Sequence, residues 1–373
     1  MARTRRLILV VVLLTGALVV LVLASLAVGS RLVPVGTVLE AVTRFDPGSN
    51  DQLVIRFSRL PRTLIGVLAG AGLGLAGVLT QSLTRNALAE PGTLGVNAGA
   101  AVGVMIGLIV TGGASITVYV WFAFAGAALA SVLVHRLGRT RRSGVDPARL
   151  VLAGAALSIV LSALTRALIL STDATVYESF RGWTTGSLQG RGWESLPVVG
   201  LCLAVGLLIS LALAGPLDSV SLGTDMAAAL GVNIRLTWSL ANAAIVVLAG
   251  GATAACGPIA FIGLASPHFA RILGGVSHRR LLPVSALLAA VLLMLADVVG
   301  RVVVFPGEIG AGVMTALIGS PFFIHLVRRG PVVGIRMRAH PVHPALLRPP
   351  ATRLPATRRA GSCDSPWGRF GSA

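Results

Sequence analysis

The chain is 373 residues long, 55% hydrophobic and 12% charged, with a mean hydropathy of +0.86; soluble domains run at roughly 45–50% apolar and about 25% charged, so a water-soluble globule is excluded. The net charge is +18, and all 31 residues of the Lys-plus-Arg count are arginine. A phosphate loop of the G-x-x-x-x-G-K-S/T type needs a lysine on the terminal phosphates, so nucleotide hydrolysis of that kind has to come from another chain.

A helix needs about 20 apolar residues to cross a hydrocarbon core of roughly 30 Å. Ten such runs follow one another: 7–28, 62–84, 93–111, 115–137, 148–171, 195–214, 235–255, 258–270, 283–304 and 311–327. The first follows Arg3, Arg5 and Arg6, but it exceeds the about 7–15 apolar residues of a secretion signal and is read as a retained span. The run 258–270 is short and opens on Gly257-Pro258, which suits a tilted or partly re-entrant helix. Arginine gathers at the N-terminus, at Arg136, Arg139, Arg141, Arg142 and Arg149, at Arg271, Arg279 and Arg280, and at Arg328 and Arg329. With ten spans all of these fall on one side, which the positive-inside rule makes the cytoplasm, so both termini are expected there.

The segment 29–61 departs from that rule, because it is outside by count yet carries Arg31, Arg44, Arg56 and Arg59, with Arg62 just beyond. Two readings stand: a cationic surface for an acidic partner or an anionic solute, or interfacial arginines on lipid phosphates. Within the spans, Gly66, Gly70 and Gly74, and then Gly95, Gly99 and Gly103, recur at the spacing that lets helix backbones approach closely in lipid. Arg166 and Asp297 are costly in hydrocarbon and are expected to face protein or water, as a structural pair, pore-lining groups or a proton relay. Aromatic residues are 5% of the chain, too few for a nucleic-acid surface with base-stacking side chains. Cys202 and Cys256 lie in apolar runs and Cys363 in a polar tail, so no disulfide framework is expected. His268 and Arg271 in "SPHFAR" have no second metal ligand at helical spacing, so neither a metal site nor a cofactor is expected.

Three long strings carry the most information: "RLPRTLIGVLAGAGLGLAGVLTQSLTRNALAEPGTLGVNAGAAVGV" at 59–104, "CGPIAFIGLASPHFARILGGVSHRRLLP" at 256–283, and "ADVVGRVVVFPGEIGAGVMTALIGSPFFIHL" at 296–326. On these the chain resembles the FecCD-type permease family over about residues 7–328: the membrane subunits of ABC importers for iron-siderophore complexes, haem and cobalamin. Family members usually have proline where Ala87 stands, so the turn after the second span is expected to rest on Asn86 and Pro91. Members also end soon after the last span. The domain expectation is therefore a permease domain over 1–329 and a Pro- and Arg-rich tail over 330–373, either disordered or a reading-frame artefact.

The resemblance implies an all-α, polytopic fold of about ten transmembrane helices, that of a type II ABC importer permease. It implies as partners separate ABC ATPase subunits, an extracytoplasmic solute-binding protein, a second permease subunit of the same or a related chain, and membrane lipid, but no nucleic acid. The segment "SLGTDMAAALGVNIR", 221–235, resembles the coupling motif of bacterial importers. Asp225 suits a helix start and Gly231 a left-handed cap, with Ala227, Ala228 and Leu230 expected on the face turned to an ATPase. Arg59, Arg62 and Arg301 match the arginines that receive glutamates of the binding protein, and Arg56 could share the task. The pathway is expected on a dimer axis, lined from the fifth and tenth spans by Ser158, Ser162, Thr165 and Thr315, although such hydroxyls often bond their own backbone. No catalytic residue is expected, since paired acids, H-E-x-x-H and G-x-S-x-G are missing from the spans. An ion-coupled secondary transporter, with Asp297 and Arg166 as coupling groups, is the alternative; a permease for cobalamin or haem is the nearer one. The expected site is the plasma membrane of a bacterial cell.

Overall fold

The computed structural model describes residues 2–328 apart from 30, 113–115, 141–143 and 305–306; the expectations for Arg141, Arg142, Arg329, Cys363 and the tail 330–373 lie outside the described residues. An apolar backbone that has left water must bond to itself, and the described chain does so almost wholly as helix. α1 (Ala2–Ala27) fills the first expected span, and α2 (Val35–Thr43) and α3 (Asn50–Val54) occupy the segment read as an outer loop. α3 passes through one π-turn, Ile55–Arg59, into α4 (Leu60–Thr84). The turn after α4 forms as its residues predict: Arg85 takes a left-handed φ of +50°, Asn86 Oδ1 accepts from the Leu88 amide at 2.9 Å, and Pro91 opens a short 3-10 turn. α5 (Val96–Thr111) and α6 (Ile116–Leu137) follow, then a two-residue antiparallel pair, β1 (Arg139–Thr140) and β2 (Gly144–Val145).

α7 (Pro147–Leu170) starts on Pro147 with Asp146 as its N-cap, the carboxylate accepting from the Ala148 amide at 3.0 Å. α8 (Ala174–Thr184) is a short helix that hydropathy did not foresee, because it is amphipathic and mostly polar. α9 (Leu196–Val220) runs through Pro216 and so outlasts the expected limit at 214. α10 (Thr224–Ala229) is the short helix of the next turn. α11 (Ile234–Ile245), capped by Asn233, continues through a second π-turn, Val246–Gly250, into α12 (Gly251–Cys256). The last three helices are α13 (Ile262–Gly274), α14 (His278–Val303) and α15 (Ala311–Arg328).

All ten expected spans therefore contain helix, and among the described residues seven helical stretches are long and apolar enough to cross a membrane. The eighth span needs correction: it begins at Ile262 instead of 258. Gly257 turns the chain at φ +80°, Pro258 has no N–H to offer, and the backbone stays unwound as far as Phe261, which holds a left-handed φ of +68°. Glu90 Oε2 accepts the Phe261 amide at 3.1 Å, so the break is held from the α4–α5 loop. Burial pushes the Glu90 carboxyl above its usual range, and the Phe261 N–H pulls it part of the way back.

Within the core α4 lies against α14, and they meet because glycine lets two backbones approach. A Cβ at Gly70 would lie 2.8 Å from the Ala290 Cα, and one at Gly77 would overlap the Gly263 carbonyl of α13. The row Gly66, Gly70, Gly74 thus faces α14, while Gly99 and Gly103 face the backbone of α6. Gly95 plays a different part from its row-mates: at φ +79° it is the left-handed N-cap of α5.

Candidate functional site

Where α1 ends and α4 begins, α1, α4 and α14 bring together three of the arginines expected on a cationic outward surface. Arg59, Arg62 and Arg301 are buried. Asp297, itself 1% exposed, accepts from Arg62 at 2.8 Å and from Arg301 one turn further along α14. Glu308 takes the other arm of Arg62 at 2.7 Å. Arg301 also donates to Ser25 Oγ at 3.0 Å, and Ser25 and Thr63 hydroxyls lie 2.7 Å apart. Arg59 is spent on main-chain carbonyls, those of Leu26 and Ala27 at 2.8 Å each and of Arg31 at 2.5 Å. Two guanidinium atoms, Arg62 Nε and Arg301 Nε, are buried without a hydrogen-bond partner among the described residues. Asp297 is therefore the anion of a structural ion cluster, and charges so deeply placed hold only while each keeps its partner.

Arg56 is the exposed member of the four. Its guanidinium stacks over the Phe45 ring, 4.4 Å from the centroid, and its carbonyl accepts from Trp193 Nε1 at 3.1 Å. The π-turn explains the split: the extra residue per turn at Ile55–Arg59 swings Arg56 outward while Arg59 enters the cluster. α8, the 185–191 loop and the start of α15 border an open cavity of about 590 Å³ with a mixed polar and apolar lining that includes Tyr119, Trp183, Gln189, Arg191 and Glu308.

Between α9 and α11, α10 is closed by the residue that predicted its stop. Gly231 adopts φ +81°, its amide donates to the Ala228 carbonyl at 2.9 Å, and the Val232 amide donates to the Ala227 carbonyl at 3.0 Å; the two bonds form the Schellman pattern. Asp225 sits in the first turn, where the helix dipole favours an anion. Ala227 is fully buried, so it belongs to the inner face, and Asp225, Met226, Ala228 and Leu230 form the exposed one.

The residues expected along the pathway divide. Ser162 is exposed on α7 and Ser158 half-buried. Thr165 is buried and donates to the Leu161 carbonyl at 2.9 Å, and Thr315 donates to the Gly312 carbonyl at 2.9 Å. Thr315 also borders an apolar cavity of about 250 Å³ between α13, α14 and α15. On the exposed face of α7, Arg166 has no ion pair or hydrogen-bond partner among the described residues. Sequence reasoning passed over Ser25, Glu308 and Asp218, which gain meaning from distant chain segments. The Asp297–Arg301 pair was legible as an i,i+4 spacing.

Residues 17–329 match the FecCD transport family. The ferric enterobactin transport system permease protein FepD of Escherichia coli (strain K12) is 45% identical over 317 residues, which is 84% of this chain and 94% of that protein. The Fe(3+) dicitrate transport system permease protein FecD of the same organism is 39% identical over 321 residues, 86% of this chain and 98% of that one. Among solved structures, an inward-facing conformation of a metal-chelate type ABC transporter superposes with a TM-score of 0.74 at 32% identity, covering 85% of this chain and 98% of the other.

Proposed function

The chain belongs to the FecCD transport family, and from that premise we propose that it is the membrane-spanning permease subunit of an ATP-driven importer of ferric siderophores. The observation that carries this reading is the likeness to FepD along nearly the whole of both chains. Its energy comes from separate ATPase subunits, its solute from an extracytoplasmic binding protein, and its pathway from pairing with a second permease subunit. It sits in a bacterial plasma membrane with both termini in the cytoplasm, where the positive-inside rule puts the arginine-rich turns.

Each partner has a surface suited to it. α10 is a short, capped helix on the arginine-rich side, with Met226 and Leu230 exposed; Asp225, Ala228 and Leu230 meet the ATPase, and Ala227 and Gly231 hold the helix in shape. On the outer face Arg56 is free to meet an acidic binding protein, while Arg59, Arg62 and Arg301 hold the ground beneath it. An unpaired guanidinium within a span is tolerated where it faces water, so Arg166, with Ser158 and Ser162 on the same helix, marks the wall of the pathway. Thr165 and Thr315 contribute backbone-bonded hydroxyls at its edge. Asp297, the coupling carboxylate of the ion-carrier alternative, is instead tied to Arg62 and Arg301.

The test is reconstitution in vesicles with the cognate ATPase and a binding protein loaded with ferric siderophore. Uptake is expected only with ATP inside the coupling compartment; accumulation by the permease alone overturns the reading. Gly231→Pro is expected to leave ATP hydrolysis running while uptake falls about tenfold or more, since coupling energies between sites reach that range.

A further inference from the structure

The exposed turn that holds α10 is joined to the transmembrane body by a set of side chains that the proposed function does not use. α10 follows α9 after residues 221–223 alone, and that link is stiff: the Ser221, Leu222 and Gly223 amides donate to the Leu217, Ser219 and Val220 carbonyls at 3.0, 3.0 and 3.1 Å. Ser221 Oγ adds a bond to the Asp218 carbonyl at 2.6 Å. A displacement of α10 therefore arrives first at the last turn of α9, where Asp218 stands.

Asp218 crosses to another helix. Its Oδ1 accepts from the His278 amide at 2.8 Å and from His278 Nδ1 at 2.7 Å, and its Oδ2 accepts from Ser277 Oγ at 2.9 Å. Ser277 is the N-cap residue of α14 yet caps nothing with its own side chain; the carboxylate of α9 does that work from outside, where the helix dipole favours an anion. The far side of the imidazole reaches a third helix, with His278 Nε2 and Ser82 Oγ of α4 sharing a hydrogen bond of 2.8 Å. From there α4 and α14 run together, backbone against backbone at Gly70 and Gly74, to the Arg62–Asp297 ion pair at the outer end. Ser82 and Arg62 are about 30 Å apart along the helix at ~1.5 Å per residue.

We propose that Asp218, His278 and Ser82 form a strut that transmits the movement of α10 into the α4–α14 pair, making them positioning residues for energy coupling. This rests on α10 being the element an ATPase moves, as set out above. A buried pair of packed helices clamped at both ends moves as a unit more readily than it bends, so the inner clamp determines whether the stroke reaches the outer cluster. A purely structural cap would instead lower the amount of assembled transporter, and with it hydrolysis and uptake in equal measure.

The experiment uses the complete transporter in vesicles, with ferric siderophore as the transported probe, and reads ATP hydrolysed and siderophore imported per assembled complex. His278→Ala and Asp218→Ala are each expected to keep hydrolysis within about twofold and to raise the ATP spent per siderophore about tenfold, within the usual span of coupling between sites. The double variant is expected to lose no more than either single one, because both act through one link. Ser82→Ala, which removes one hydroxyl and leaves the cap intact, is expected to raise the ratio about threefold and serves if the other variants do not assemble. An unchanged ratio, a parallel fall of both activities, or a double loss equal to the product of the single losses overturns the strut. If these variants couple normally while Gly231→Pro does not, the strut alone falls; if the unaltered transporter shows no ATP-driven uptake, the permease reading falls and takes the strut with it.

Discussion

The stretch that ends in α4 and the one that forms α7 have the same mean hydropathy, 1.9, over their most apolar windows, yet 78% of the first is buried inside the chain and 11% of the second. Hydropathy reports the free energy of leaving water, and by that measure the two are equal. What separates them is the chance of close approach. α4 carries Gly66, Gly70, Gly72, Gly74 and Gly77, whereas α7 carries Gly154 as its one glycine. Lipid tails are as apolar as leucine, so burial of a helix among helices depends on small residues that gain backbone contact. Charge follows the same division: Arg62 of α4 is enclosed by Asp297 and Glu308, and Arg166 of α7 stands open.

The comparison can be broken at several points, the most damaging being Gly77→Leu. Its side chain would have to occupy the Gly263 backbone, and overpacking that neither helix can relieve costs upward of the ~1–3 kcal/mol usual for cores. Size-exclusion profiles in detergent should show the monodisperse species lost. Asp297→Ala comes next, because it leaves Arg301 buried without a carboxylate and Arg62 with Glu308 alone; breaking a buried ion pair costs about 3–5 kcal/mol, to be read as a lowered thermal midpoint. The same reasoning means that Arg59→Glu with Arg301→Glu would damage folding before it reported on docking, so Arg56→Glu is the variant that tests the outer surface. It should weaken binding-protein association, with a salt dependence smaller than the parent's.

Substitutions on α7 sharpen the contrast from the other side. Arg166→Leu should leave the thermal midpoint unchanged, since its exposed guanidinium holds no partner among the described residues, while siderophore uptake drops about fivefold because that charge lines the proposed pathway. Ile159→Ala, at a side chain 72% exposed, should alter the stability of a single subunit by less than about 0.5 kcal/mol. A loss of about 2–5 kcal/mol at that position in the assembled transporter, the usual cost of truncating a buried isoleucine, would instead locate α7 in the contact between subunits.

Much of the membrane architecture was legible because its signals are local. Apolar length marked the ten spans, and the left-handed preference of glycine marked the end of α10 at Gly231. Asn86 and Pro91 announced the turn after α4. The eighth span was misplaced at its start because Pro258 is compatible with a first helical turn, and only the fold, where the Phe261 amide donates to Glu90 of a distant loop, shows that the backbone remains unwound there. α2 and α8 escaped a search for long apolar runs, being short.

By itself the sequence determined that this chain crosses a membrane many times, that its charge is arginine, and that its spans pack through glycine. These follow from transfer free energies and backbone sterics that each segment carries alone. Only the tertiary structure decided which arginines are surface and which are core, and which acid answers which base. Arg62 meets Asp297 from 235 positions away and Asp218 meets His278 from 60, because a charge in a low-dielectric interior takes its energy from its nearest neighbour in space, and that neighbour is chosen by the packing of helices.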